Sequence, residues 1–159
     1  SLAEAGEIDP EIWLAIRGAD GRLGWPQLLD RKRVVILAEA GSGKSTELEH
    51  RYRAWLAAGH AAFHGKLQVV GRKGLMAAIG DKARFEAWRA SDAPAWFFLD
   101  SVDEAKLDNT RLEDALKDIA DVLDPYLGRV HIVLSGRHTD WEFRRDLERL
   151  NDILPVPVE

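Results

Sequence analysis

At 159 residues, with 46% hydrophobic and 31% charged residues, the chain is long enough for one domain with a sizeable core and has an ordinary globular balance. A net charge of −5 argues against a general electrostatic grip on nucleic acid, and the lack of cysteine excludes disulfides, thiolate catalysis and Cys-based zinc sites. No apolar run approaches the ~20 residues of a membrane span, and the acidic N-terminus lacks a signal peptide's charge-then-apolar layout, so neither a membrane nor a nucleic acid is expected as a direct partner and a cytoplasmic location fits.

The first thirty residues read as irregular, with turn signals at Asp9-Pro10, Gly18, Asp20-Gly21, Gly24 and Trp25-Pro26. Arg33 to Ala38 reads as a buried strand, short, β-branched and bounded by small residues. Ser45 to Ala58 reads as a helix with Leu48, Tyr52, Trp55 and Leu56 on one face and Gly59 as its stop. Leu67 to Val70 is a short second strand, and Gly74 to Arg89 a helix that Gly80 is placed to break. Ala95 to Leu99 is a strand ending at Asp100. Arg111 to Leu123 is the cleanest helix, with Leu112, Leu116, Ile119 and Leu123 on one face, ended by Asp124-Pro125. Val130 to Leu134 is another strand, Trp141 to Leu150 a helix, and Ile153 to Val158 a last strand whose two prolines favour an edge or a strand end. Strand alternating with helix predicts an α/β fold of three layers, a parallel sheet with helices on both faces. Residues 1–32 form a lead-in packed on a core of 33–159, and the abrupt start and stop of the chain read as a domain excised from a longer protein.

The stretch Ala38-Glu-Ala-Gly-Ser-Gly-Lys44-Ser45 fits the P-loop pattern, with Ala38 in place of the usual first glycine. Gly41 and Gly43 let the backbone curl so that the N–H groups of Ala40, Gly41, Ser42 and Gly43 point at phosphate oxygens. The helix that starts near Lys44 adds its positive dipole end. Lys44 is expected to reach the β- and γ-phosphates, Ser45 to ligate Mg²⁺ and Thr46 to lie near the α-phosphate. A dinucleotide fingerprint fits less well, because the third glycine is absent. The cofactors expected are therefore ATP, with GTP as the alternative, and Mg²⁺.

Asp100 ends an apolar strand, which puts its carboxylate at the sheet edge beside the phosphate loop, where a Mg²⁺-holding acid is needed. Asp103 and Glu104 follow, and either is a candidate to orient a water in line with the γ-phosphate, with Glu104 slightly favoured. The strand Val130 to Leu134 leads into Ser135 and Arg137, where a polar or cationic side chain meets the γ-phosphate or stabilises transition-state charge. The catalytic set is thus Glu104, Asp103, Arg137 and Lys44, and the metal set Ser45 and Asp100.

Three motifs in register, Ala40-Gly-Ser-Gly-Lys-Ser-Thr46, Phe97-Phe-Leu-Asp-Ser-Val-Asp-Glu104 and Ile132-Val-Leu-Ser-Gly-Arg137, resemble the NACHT family of signal-transduction (STAND) NTPases. That family's second motif carries a small residue after the Mg²⁺ aspartate and then an acidic pair, matched here by Ser101 and Asp103-Glu104. Its sensor motif ends a strand with Thr/Ser-x-Arg and usually proline; Ser135-Gly136-Arg137 matches, and His138 stands where the proline would be. The resemblance covers about Arg33 to Trp141. It implies a P-loop NTPase fold with about five parallel strands in the order 5-1-4-3-2, so that Val130–Leu134 lies between Arg33–Ala38 and Ala95–Leu99. It further implies ATP more often than GTP, slow hydrolysis, and a switch role in defence or regulated, nucleotide-dependent homo-oligomerisation. Family members carry helical, winged-helix and sensor domains after this core, which would be partners within the parent chain.

Two other readings stand beside this one: a nucleotide-binding assembly module that does not hydrolyse ATP, and a small-metabolite kinase in which Arg144, Arg145 and Arg149 imitate a lid. The histidines at 50, 60, 64, 131 and 138 show no metal spacing. Arg31-Lys32-Arg33 and Arg144-Arg145 read as solvated ends of elements. The tryptophans read mostly as core, with Trp25 and Trp141 as candidates to border a base pocket.

Overall fold

Period-two alternation sets the two faces of the central sheet. In β3 (Arg33–Ala38), Val34 and Ile36 face one way and Val35 and Leu37 the other, and all four are buried. In β5 (Ala95–Asp100), Trp96 and Phe98 join the first pair, while Phe97 and Leu99 join the second. Both faces are therefore covered, as an all-parallel arrangement requires. The structure, a computed structural model, describes residues 6–9, 12–16, 25–38, 44–101, 109–137 and 143–157.

The elements in chain order are β1 (Gly6–Asp9), β2 (Ile12–Ile16), α1 (Trp25–Leu29), β3, α2 (Lys44–Ala57), β4 (Ala61–Lys66), α3 (Leu67–Lys73), α4 (Leu75–Ile79), α5 (Lys82–Arg89), β5, α6 (Asn109–Leu123), a 3₁₀ helix (Asp124–Arg129), β6 (Val130–Arg137) and α7 (Phe143–Ile153). The sheet runs β1-β2-β3-β6-β5-β4, with β2, β3, β6, β5 and β4 mutually parallel and β1 antiparallel at one edge. The protein is thus an α/β domain with a parallel sheet flanked by helices. β6 lies between β3 and β5, in the position expected for the Val130–Leu134 strand.

Four expectations are corrected. The sheet has six strands rather than about five. The place beside β3 belongs to β2, so the segment read as irregular supplies strands; the turn residues around Ile12–Ile16 hid its apolar run. The strand expected at Ile153–Val158 is absent from its described part, 153–157: α7 continues to Ile153, and the carbonyls of Leu154 and Pro155 accept hydrogen bonds from Arg33, at 2.8 and 3.1 Å. Leu67–Val70 is the start of helix α3, and the strand lies just before it, at Ala61–Lys66. Its small and polar residues have little intrinsic strand preference; pairing with β5 and the stacking of Phe63 on Phe97, centroids 5.0 Å apart, fix it there.

The larger core cluster packs α3 to α7 and the 3₁₀ helix on the face bearing Val35, Phe63, Phe97 and Ile132. In α6, Leu112, Leu116, Ile119 and Leu123 are all at most 2% exposed, each burial being worth ~1.5–3 kcal/mol. The smaller cluster packs α1 and α2 on the opposite face, through Leu28, Leu48, Val34, Ile36, Phe98 and Val133. The expected break at Gly80 is present: it adopts a left-handed conformation (φ 71°) between α4 and α5, and Asp81 then caps α5 by accepting from the Arg84 N–H at 3.0 Å.

Candidate functional site at the carboxyl edge of the sheet

Parallel strands bring their carboxyl ends to one edge, which is where ligands of open α/β sheets bind. Register places Ala38 opposite Arg137, Ser135 opposite Asp100 and Asp100 opposite Lys66, so the ends of β3, β6, β5 and β4 form one row. Helix α2 runs back along the sheet: Tyr52 approaches Phe98 at 6.1 Å, whereas Trp55, further along the helix, approaches Trp96 at 5.2 Å. Its first residues, Lys44, Ser45 and Thr46, therefore start from the same carboxyl edge. β3 thus ends and α2 begins at one edge, the placement that the phosphate-loop reading requires. The helix forms because Leu48, Tyr52, Trp55 and Leu56 recur on one side and pack against the sheet.

Asp100 is the last residue of β5 and is 4% exposed. A carboxylate so enclosed requires donors or a cation. The Ser135 hydroxyl donates to its Oδ1 at 2.8 Å. The next residue, Ser101, donates twice to the Ser135 carbonyl, from its hydroxyl at 2.7 Å and from its backbone N–H at 3.1 Å. Three hydrogen bonds thus bind the end of β5 to one residue of β6. Ser135 and Arg137 were expected to place a polar or cationic side chain near the γ-phosphate; the Ser135 hydroxyl holds an Asp100 carboxylate oxygen.

Of the residues singled out by sequence, Lys44, Ser45, Thr46, Asp100 and Arg137 are brought to this edge by the backbone. Thr46 is exposed. Ala40, Gly41, Ser42 and Gly43, and likewise Asp103 and Glu104, lie outside the described residues. Lys66 is a cation of this edge that sequence reasoning missed, because the strand carrying it was placed too late in the chain; its side chain is exposed. Two residues earlier on the same strand, His64 stacks on Tyr52 at 5.3 Å. Burial holds its imidazole below the ordinary histidine value, while the charges of Glu49 and Asp100 oppose that shift.

Among the described residues no group of three or more His, Asp or Glu could hold a metal alone. Mg²⁺ does not need one, since it commonly binds through one or two carboxylates together with waters and substrate phosphates. A buried aspartate with one oxygen fixed by a neighbouring strand fits that role.

Other sequence-marked side chains turn out to be structural. Trp25 is buried under α2, donating from Nε1 to Glu47 at 2.9 Å. Trp141 lies outside the described residues. Arg149 faces acids, Glu113 at 3.7 Å and Asp146 at 3.9 Å, and Arg145 approaches Asp146 at 3.7 Å. No helix of the described residues is long and apolar enough to cross a membrane. Compared with known proteins, the chain matches no family model, no curated sequence and no solved structure.

Proposed function

We propose that this chain is the nucleotide-binding, slowly ATP-hydrolysing core of a NACHT/STAND-type signalling or defence switch with a P-loop NTPase fold. The observation that carries the reading is the convergence of the Lys44-Ser45 helix start, the buried Asp100 and the Ser135–Arg137 strand end on one sheet edge. In this reading the backbone from Ala40 to Gly43 and the start of α2 bind the phosphates of ATP, with GTP as the alternative. Lys44 neutralises the β- and γ-phosphates. Ser45 and Asp100 hold Mg²⁺, which when bound shields phosphate charge. Glu104 or Asp103 orients the attacking water, and Arg137 stabilises charge developing on the γ-phosphate. The cytoplasm, nucleotide-dependent self-association and helical, winged-helix and sensor domains in a parent chain belong to the same proposal.

Calorimetry tests the binding half. Lys44→Ala should lose most ATP affinity, and equal affinity in mutant and unaltered protein would overturn the reading. Steady-state phosphate release tests the hydrolytic half. Turnover is expected well below the ~1–100 s⁻¹ of efficient phosphoryl-transfer enzymes, because an arginine finger, often worth ~10³–10⁵, is commonly supplied by another subunit or domain. Glu104→Gln should keep affinity and lose turnover. If only Asp103→Asn is inactive, the base is Asp103. If both variants hydrolyse normally, the pair is structural and the assembly-module reading replaces the enzymatic one.

A further inference from the structure

We infer that Ser135 is a positioning residue for Asp100, so that metal-dependent nucleotide binding at this edge depends on a hydroxyl that itself touches neither metal nor nucleotide. The inference rests on the reading of Asp100 as the Mg²⁺-holding acid. The geometry is that of a clamp between two strands. Ser135 is 0% exposed, Ser101 1% and Asp100 4%, so water does not compete freely for these groups. The hydroxyl of Ser135 fixes Oδ1 at 2.8 Å, and its carbonyl accepts both the hydroxyl and the N–H of Ser101. A free aspartate side chain rotates about χ1 and χ2; here one carboxylate oxygen is pinned to β6, and the direction of the chain leaving β5 is pinned by the next residue. Groups that orient a ligand's carboxylate in this way typically matter 10–100-fold for metal affinity.

The clamp also joins the two chemistries of the edge. Asp100 and Ser101 open the segment that carries Asp103 and Glu104, and Ser135 stands two residues before Arg137. A shift of β6 relative to β5 would move the carboxylate and the sensor strand together. A serine of purely structural value would serve stability alone; a positioning serine must affect binding with metal differently from binding without it.

The test is nucleotide affinity by calorimetry with and without Mg²⁺, together with melting temperature, for the unaltered chain, Ser135→Ala, Asp100→Asn and the double variant. Ser135→Ala is expected to weaken Mg·ATP binding by ~10-fold or more, while metal-free ATP affinity changes by less than about twofold. Adding Ser135→Ala to Asp100→Asn should cost nothing further, because the group it positions is gone. If Ser135→Ala melts too low to assay, Ser135→Cys fills the site with a slightly larger group and a weaker donor and should lose Mg²⁺-stimulated affinity in the same direction. Equal losses with and without Mg²⁺, or unchanged Mg·ATP affinity in Ser135→Ala while Asp100→Asn is impaired, overturn the positioning role alone. Absence of Mg²⁺-stimulated binding in the unaltered chain overturns the Asp100 reading and this inference with it.

Discussion

Arg33 shows how one side chain can fasten together segments far apart in sequence. It is 1% exposed, and its guanidinium donates to five carbonyls, those of Lys32, Leu127, Val130, Leu154 and Pro155, at 2.8 to 3.2 Å. The planar fork of donors suits such a cage, and an ammonium has too few directions to replace it. Removing it strands several buried acceptors, each unsatisfied group costing ~1–3 kcal/mol. Arg33→Ala should therefore lower unfolding free energy by about 3 kcal/mol or more in urea titrations, and Arg33→Lys should recover only part of that. A loss below ~1 kcal/mol would show that the cage contributes little. Arg33 sits in the run Arg31-Lys32-Arg33, which as a sequence looks like a solvated strand end; burial of its third member is set by the 3₁₀ helix and the segment after α7, which sequence order does not bring near. Asp100 was legible for the opposite reason: an acid that ends an apolar strand has one place to go. The partner of Ser135 was not legible, because it depends on the register that sets Ser135 opposite Asp100, which no local pattern reveals.

Among the elements, β3, β5, β6, α2 and α6 were legible because their periodicity is local and strong. β4 was not. Its sequence, Ala-Ala-Phe-His-Gly-Lys, has no continuous β-branched run, and its position is secured by neighbours. Arg84 donates to the Ala62 carbonyl and to the Tyr52 hydroxyl, pairs with Asp81, and lies 4.6 Å above the Phe63 ring, tying α5, α2 and the strand together. Gly65 lets α4 approach: a Cβ there would meet the Ala78 carbonyl oxygen at 2.8 Å. Because that obstacle is backbone, Gly65→Ala must push α4 away from β4, at an expected ~1–3 kcal/mol. Thermal melting of this variant beside Gly80→Ala separates steric cost from the conformational cost of a positive φ, since nothing lies within 4 Å of a Cβ at Gly80.

For the whole molecule, the amino edge of the sheet links stability to pH. His131 is 7% exposed, stacks on Trp96 with centroids 4.4 Å apart, and donates from Nδ1 to the Arg31 carbonyl at 2.9 Å. Burial, with smaller contributions from Lys32 and Arg33, holds its pKa down to about 4; the bond to Arg31 and the charge of Asp30 oppose the shift. The unfolded chain, with a histidine near 6.5, binds the proton first as pH falls. Stability is therefore complete above about pH 6.5, declines as pH falls toward 4, and stops declining from this source below that; the full shift amounts to about 3 kcal/mol. His131→Phe keeps a flat ring and removes the proton. Its unfolding free energy should fall less steeply between pH 7 and 4.5 than that of the unaltered protein, and parallel curves would exclude the linkage.

The same edge has an optical consequence. Trp55 stacks on His60 with centroids 3.8 Å apart, and Trp96 lies against both His131 and His60. An imidazolium quenches indole emission more strongly than a neutral imidazole, so Trp96 carries in His131 a proton-sensitive quencher in ring contact. The emission of Trp96 is thus tied to the integrity of the amino edge, some distance along α2 from where the phosphates would sit. Light emitted there would report the state of the fold, and only secondarily the filling of the opposite edge.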